Sequence, residues 1–379
     1  MPVLLRRPRR GGGAAGPRGR EHPGRPPARA HGPQDMTAVL TARTEAAAFV
    51  RDRAAALDRG ETDVRTDLAA LGDLGLLGIG LGERGIGEIV AVIEDVAAES
   101  LTVAFSLWAQ RMTIEYVARA PEPVRRAHLG GLVSGRTVGV TAMAAALKHL
   151  AGLGELPLAG VRDSDRYRVT GPIAWASNVF PDALIVFPFR DEQGCGRVAC
   201  TRADAAGVEV RPCPELLALG ATASTSLRFT DVTVPAAQCL TADLPAFGAA
   251  IRPTFLLLQS AFCTGIARTA LAESAGLLDG IGAQFRTDHD ALATRHADVR
   301  ARLHAYAADP AAPDGAALLT VRLDAARLAV DATRLEFALR GGAGYATAGA
   351  TNRRFREAAF LPIQSPSEGQ LRWELSRYR

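Results

Sequence analysis

The chain has 379 residues, 48% of them apolar and 22% charged, enough to build two or three packed subdomains and too many for one small core. Its net charge of +4 is local: residues 1–35 carry eight Arg against Glu21 and Asp35, and the remainder holds 36 basic and 38 acidic side chains, so the body gives no electrostatic case for nucleic acid. No apolar run reaches the roughly 18 residues of a membrane span. Five cysteines without CxxC pairs or His partners at metal spacing read as scattered thiols of a cytoplasmic protein, with no metal site and no disulfide framework.

Residues 1–36 are rich in Arg, Pro, Gly and Ala, with almost no bulky apolar side chain after Leu5. Such a segment cannot bury a core and is expected to be disordered. It lacks the continuous apolar stretch of a secretory signal. It reads as an upstream extension with Met36 as the natural start; the alternative is an Arg-rich tail that binds something acidic.

From Thr37 the pattern becomes helical. Residues 37–59 and 66–74 carry Ala, Leu and Val at helical spacing, and residues 75–87 form a glycine-punctuated turn. Residues 88–120 predict a long helix interrupted near Ser106–Trp108, and 121–133 a short one. Residues 37–136 are thus a helical N-terminal domain.

Residues 137–243 change character. Residues 138–143, 166–169, 183–188, 196–201, 207–211 and 225–234 read as strands joined by Gly, Asp and Pro turns, a small β-domain. Within it, residues 171–186 read GPIAWASNVFPDALIV. A Trp two residues before a hydroxyl on a strand puts both side chains on one face. That suits a flat aromatic ligand, with the Trp175 indole on its face and Ser177 donating to a ring atom. The alternative is a buried Trp at a hairpin end with Asn178 as turn residue.

Residues 244–379 return to helix. Residues 245–278 predict one long helix, bent at Pro253, and 287–306 a second. Residues 316–340 predict a third, with Leu318, Val321, Ala325, Leu328, Ala332, Leu335 and Leu339 at 3,4 spacing. That seam implies packing along the helix length, within the chain or across a dimer axis. Gly341–Gly342 end it as a C-cap, and residues 351–360 and 367–377 predict two short closing helices.

This order and several motifs resemble the acyl-CoA dehydrogenase family, over about residues 37–379. Trp175-Ala176-Ser177-Asn178 resembles its Trp-x-Ser/Thr-Asn beside the flavin N5. Leu219-Gly220 with STSLRFTDVTVP (224–235) resembles the end of its β-domain. Gly341-Gly342-Ala343-Gly344-Tyr345 resembles its GGxGY, where a neighbouring subunit approaches the cofactor, and RFREA (354–358) its "R…RDA". The resemblance implies an α+β fold made of an N-terminal helical domain, a middle small β-domain and a C-terminal four-helix bundle. It implies bound FAD, an acyl thioester or other small-molecule substrate, and a homodimer or homotetramer, with no nucleic acid or membrane partner. The reaction implied is α,β-dehydrogenation, with hydride passing to flavin N5. The cofactor-binding residues implied are Thr141, Trp175, Ser177, Asn178, Gly341 and Gly342, with Arg286 standing in for the family's Arg, whose place falls near Leu278 or Asp279.

The departures concern the chemistry. Ser365 occupies the position of the family's usual catalytic Glu, and residues 245–271, which carry the base in some members, contain no Asp or Glu. Glu368, three residues on, is the remaining candidate base, or an ordinary first-turn helix charge. The VTAMAAAL loop (140–147) keeps Thr141 but lacks the family's Glu-Pro and Gly-Ser-Asp, and it inserts Lys148, the chain's one lysine, and His149. Two alternatives follow: a flavin-dependent monooxygenase, which needs no α-proton base, or a flavin-poor non-catalytic partner subunit.

Overall fold

The computed structural model describes residues 33–83 and 85–378. The expectation for residues 1–32 lies outside them, and the first helix, α1 (Pro33–Asp58), begins upstream of Thr37. It is followed by α2 (Arg65–Asp73), α3 (Gly87–Glu99), α4 (Leu101–Ala118) and α5 (Glu122–Val133). The break expected at Ser106–Trp108 lies instead at Ser100. That residue is extended, and its hydroxyl accepts from the Val103 N–H, capping α4. Ser106 and Trp108 are both buried within α4, so a Ser and a Trp that sequence alone reads as weak helix formers are held by packing.

Next come β1 (Gly139–Thr141), α6 (Ala144–Leu150), β2 (Ala159–Asp163), β3 (Arg166–Ala176), β4 (Leu184–Asp191), β5 (Gly196–Arg202), β6 (Val208–Val210), β7 (Thr225–Pro235) and β8 (Cys239–Thr241). They form one eight-stranded sheet in the order β6-β7-β3-β2-β4-β5-β8. β1 lies parallel to the first half of β4, and β2 meets its far end. Residues 184–189 are buried on both faces, which explains why β4 reads as a continuous apolar run. Sequence periodicity does not resolve β2, β8 or α6; the five residues of β2 are mostly exposed, so they carry no apolar signal.

The C-terminal region contains α7 (Leu244–Ala275), α8 (Arg286–Ala308), α9 (Gly315–Arg340), α10 (Gly342–Tyr345), α11 (Ala350–Ala358) and α12 (Glu368–Leu375). Asp243 and Asp314 cap α7 and α9 by accepting from Ala246 N and Ala317 N. Pro253 lies inside α7 without ending it. α7 is the one helix among the described residues long and apolar enough to cross a membrane, and 83% of its most apolar window is buried. It is a core helix, packed on α3, α4, α8 and α9. The α9 seam resolves as an intrachain one: Leu318, Val321, Ala325, Leu328, Ala332 and Leu335 are buried, against α7 and α8.

Candidate active site

Trp175 sits where β3 and β7 lose register. Ile173 pairs with Leu227 and Ala176 with Thr225, so Ala174 and Trp175 oppose the single residue Ser226. Such a bulge re-aims side chains, and it leaves the indole 60% exposed. The buried-hairpin reading of this Trp is thereby corrected.

Asn178 follows, buried, with φ +65. Its Nδ2 donates to the carbonyls of Ser106 on α4 and Gly139 on β1, at 3.0 and 3.3 Å. Its N–H donates to Thr222 O at 2.7 Å. One side chain thus ties the end of β3 to two other elements, while Asn178 Oδ1 has no hydrogen-bond partner among the described residues.

Between Trp175 and Asn178, the Ser177 hydroxyl lies 2.7 Å from Ser224 Oγ. Ser224 Oγ lies 2.7 Å from Thr222 Oγ1, which donates to Leu219 O, also at 2.7 Å. Leu219 (φ +63) and Ala223 (φ +47) join Asn178 in the left-handed region. Each such non-glycine residue costs about 1–2 kcal/mol, and strain of this kind persists where surrounding contacts over-determine it. Thr141, at the end of β1, bonds the buried Tyr116 hydroxyl at 3.0 Å; burial pushes that phenol well above its usual range.

A second group surrounds Ser365. Gln259 on α7 donates from Nε2 to Ser365 O at 3.0 Å and accepts from Arg322 Nε at 2.9 Å. Arg322 Nη2 reaches Gln364 Oε1 and Leu361 O at 3.1 and 3.3 Å, and Nη1 lies 3.9 Å from Cys263 Sγ. This guanidinium is fully buried, and none of its partners is a carboxylate. Burial pulls its pKa down and pushes the Cys263 thiol up to about 11. Ser365 Oγ and Gln364 Nε2 have no hydrogen-bond partner among the described residues. Ser365 and Gln259 are therefore neutral groups in contact with one another, with the Arg322 guanidinium bonded to Gln259 from behind. A neighbouring positive charge lowers a carboxylate's pKa, the opposite of what a general base near neutral pH requires. One turn before Gln259, Phe255 packs edge-on against Trp108, which also meets Phe105 and Phe262.

The remaining candidates make their bonds elsewhere, except that the Glu368 N–H donates to Pro362 O at 2.8 Å, between Leu361 and Gln364. Glu368 is in the first turn of α12, with Ser367 as N-cap. Its carboxylate is bound by Arg327 Nη2 at 2.6 Å, with Arg372 at 3.7 Å, in an open cleft of about 640 Å³ lined also by Arg295, Asp324 and Asp331. Arg286 opens α8, donating to Leu278 O at 2.8 Å. Gly341 and Gly342 end α9 at the same end of the bundle, exposed; Gly341 has φ +56, and a Cβ on either would meet nothing. Lys148 and His149 lie on α6, where a loop was expected. Lys148 is exposed, and His149 Nδ1 bonds Gly154 O at 3.1 Å.

Sequence reasoning missed Gln259, Arg322, Ser224 and Thr222. The first two left a trace, since each interrupts an apolar helical stripe. Ser224 opens the motif at 224–235 but carries no sign of its hydroxyl's role there, and Thr222 left no trace.

No family model matches the chain, and no curated protein is similar to it in sequence. Solved structures are similar to it in fold. Butyryl-CoA dehydrogenase from Megasphaera elsdenii matches at 16% identity and TM-score 0.79, over 90% of this chain and 97% of that one. The glutaryl-coenzyme A dehydrogenase glutaryl-CoA complex matches at 16% identity and 0.80, over 89% and 94%. Dibenzothiophene monooxygenase from Paenibacillus sp. A11-2 matches at 19% identity and 0.73, over 90% and 96%. The chain has the acyl-CoA dehydrogenase fold.

Proposed function

We propose that this chain is a FAD-dependent oxidoreductase of the acyl-CoA dehydrogenase superfamily, acting on an acyl thioester or other small molecule. The observation that carries this reading is the exposed Trp175, two residues before the Ser177 hydroxyl, at the bulged end of β3, where Asn178, Leu219 and Ala223 hold left-handed backbone. An exposed indole next to a fixed polar atom suits a flat heteroaromatic ring. FAD, when bound, supplies two-electron redox chemistry. Trp175, Ser177, Asn178 and Thr141 would hold its ring. Gly341, Gly342 and Arg286 would serve the distant part of a cofactor, in a homodimer or homotetramer whose neighbour completes the site.

Oxygenation is the reaction favoured. α,β-Dehydrogenation needs a carboxylate at the α-proton, whereas the Ser365 and Gln259 pair is neutral and Arg322 lies behind it. Glu368 as base is the second reading, favoured by its place three residues from Ser365. The visible spectrum of the purified protein, with released flavin quantified, is the first test. A colourless protein that added FAD does not reconstitute would sink the flavin reading and leave a non-catalytic partner subunit. With FAD bound, oxygen uptake coupled to a hydroxylated product is expected from the reduced protein. Anaerobic bleaching of the flavin by an acyl thioester would instead carry dehydrogenation.

A further inference from the structure

The Ser177, Ser224 and Thr222 hydroxyls make three contacts of 2.7 Å, ending on the Leu219 carbonyl. Oxygen atoms at that separation need a proton between them. A hydroxyl has one proton to give, so three hydroxyls supply three protons for three contacts. The carbonyl supplies none. Thr222 must therefore donate to Leu219 O, Ser224 to Thr222, and Ser177 to Ser224. No other assignment leaves every contact with its proton. The direction is anchored at the carbonyl end, where Thr222 is buried and Leu219 is held at φ +63.

We infer that Ser177 meets its ligand as a hydrogen-bond acceptor, and so biases the site toward the reduced, N–H-bearing form of a flavin ring over the oxidised form. This rests on the flavin reading above, and it reverses the donor role that the sequence suggests for Ser177. Half-buried Ser177 keeps lone pairs for an outside N–H, while its own proton is committed inward. Turning that proton toward an oxidised ring nitrogen would leave Ser177 and Ser224 in contact with no proton between them. Hydrogen bonds in networks of this kind reinforce one another, so the oxidised ring meets a site whose donor is already used.

The test is a redox titration of the full-length protein reconstituted with FAD, using equilibrating dyes under anaerobic conditions. Ser224→Ala removes the acceptor for the Ser177 proton and frees it to point outward. Thr222→Val unanchors the chain, so that Ser224 can donate to Ser177 with the same result. Thr222→Ser keeps the hydroxyl. One hydrogen bond gained by the oxidised form corresponds to about tenfold in relative affinity. For a two-electron couple that lowers the midpoint potential by about 30 mV. The expected pattern is that drop in Ser224→Ala and Thr222→Val, and the wild-type potential in Thr222→Ser. A rise, or no change in the first two variants with FAD still bound, overturns the inference and leaves the flavin reading standing. A wild-type protein that takes up neither oxidised nor reduced FAD overturns both.

Discussion

Trp175 and Glu368 show how differently two residues of one motif set can be placed. The indole is exposed beside strained backbone, so it does little for the fold. Trp175→Ala is expected to weaken FAD binding about tenfold, consistent with the loss of one aromatic contact, while thermal stability changes by less than about 0.5 kcal/mol. Fluorescence titration with FAD and a melting curve check both, and unaltered affinity would remove Trp175 from the site. Glu368 is held by Arg327 in a partly exposed pair, worth less than about 1 kcal/mol. Glu368→Gln is expected to keep oxygenation within twofold of wild type; loss of acyl-thioester bleaching in this variant would restore it as base. The Trp-x-Ser motif was legible from its spacing alone, although β3 ends at Ala176 and the bulge before it breaks the strand alternation. Gln259 and Arg322 were not, because their meeting needs two helices docked 63 residues apart in sequence.

At the scale of elements, the helices are joined by buried ionic ties that no local pattern announces. Glu94 on α3 accepts from Thr264 on α7 at 2.9 Å, from Arg300 on α8 at 3.0 Å, and from His304 at 2.8 Å. Burial raises its pKa, but the His304 and Arg300 bonds outweigh it and hold the carboxyl at about 2, below its ordinary 4.5. Because the folded value is depressed, the stability it contributes is present above about pH 4.5. It is lost as pH falls toward 2. Glu94→Gln is expected to cost about 1–3 kcal/mol at pH 7 and to flatten the decline below pH 4.5. Urea melts across that window decide it: an equally steep acid limb in the variant would place the loss elsewhere. Gly265 allows the same helices to approach, since a Cβ there would lie 2.3 Å from Glu94 O and 2.8 Å from Ala97 Cβ. Gly265→Val is expected to lower stability by about 1–3 kcal/mol or more, read as a fall in melting temperature; a melting point unchanged within error would mean that α3 and α7 separate without strain.

Over the whole molecule, one continuous cluster of buried apolar side chains runs from Ala46 on α1 through Phe187 and Phe229 in the sheet to Leu371 on α12. α4 touches α3, α5, β1, α7 and α11, so the three regions share a core. Urea unfolding is expected to give one transition with coincident midpoints by far-UV circular dichroism and Trp fluorescence; an early, separate loss of strand signal would show the sheet to be an independent unit. Most helices, six strands and the three-region order were determined by the sequence itself, because apolar periodicity and punctuation by Gly, Pro and Asp are local properties. Trp175 and Ser177 were legible as a motif in the same way, whereas the bulge that exposes Trp175 was not. Tertiary structure alone decided the rest: that the break falls at Ser100, that the α9 seam is filled by α7 and α8, and that Glu368 turns to Arg327. It also brought Ser365 against Gln259 in front of Arg322, and aligned three hydroxyls on Leu219 O. The contacts of Ser177 with Ser224, of Ser365 with Gln259, of Gln259 with Arg322 and of Glu368 with Arg327 join residues 41 to 106 positions apart, so they form only when packed elements exclude water; the Ser100 cap and the Thr222 bonds are short in sequence but carry no apolar period to announce them.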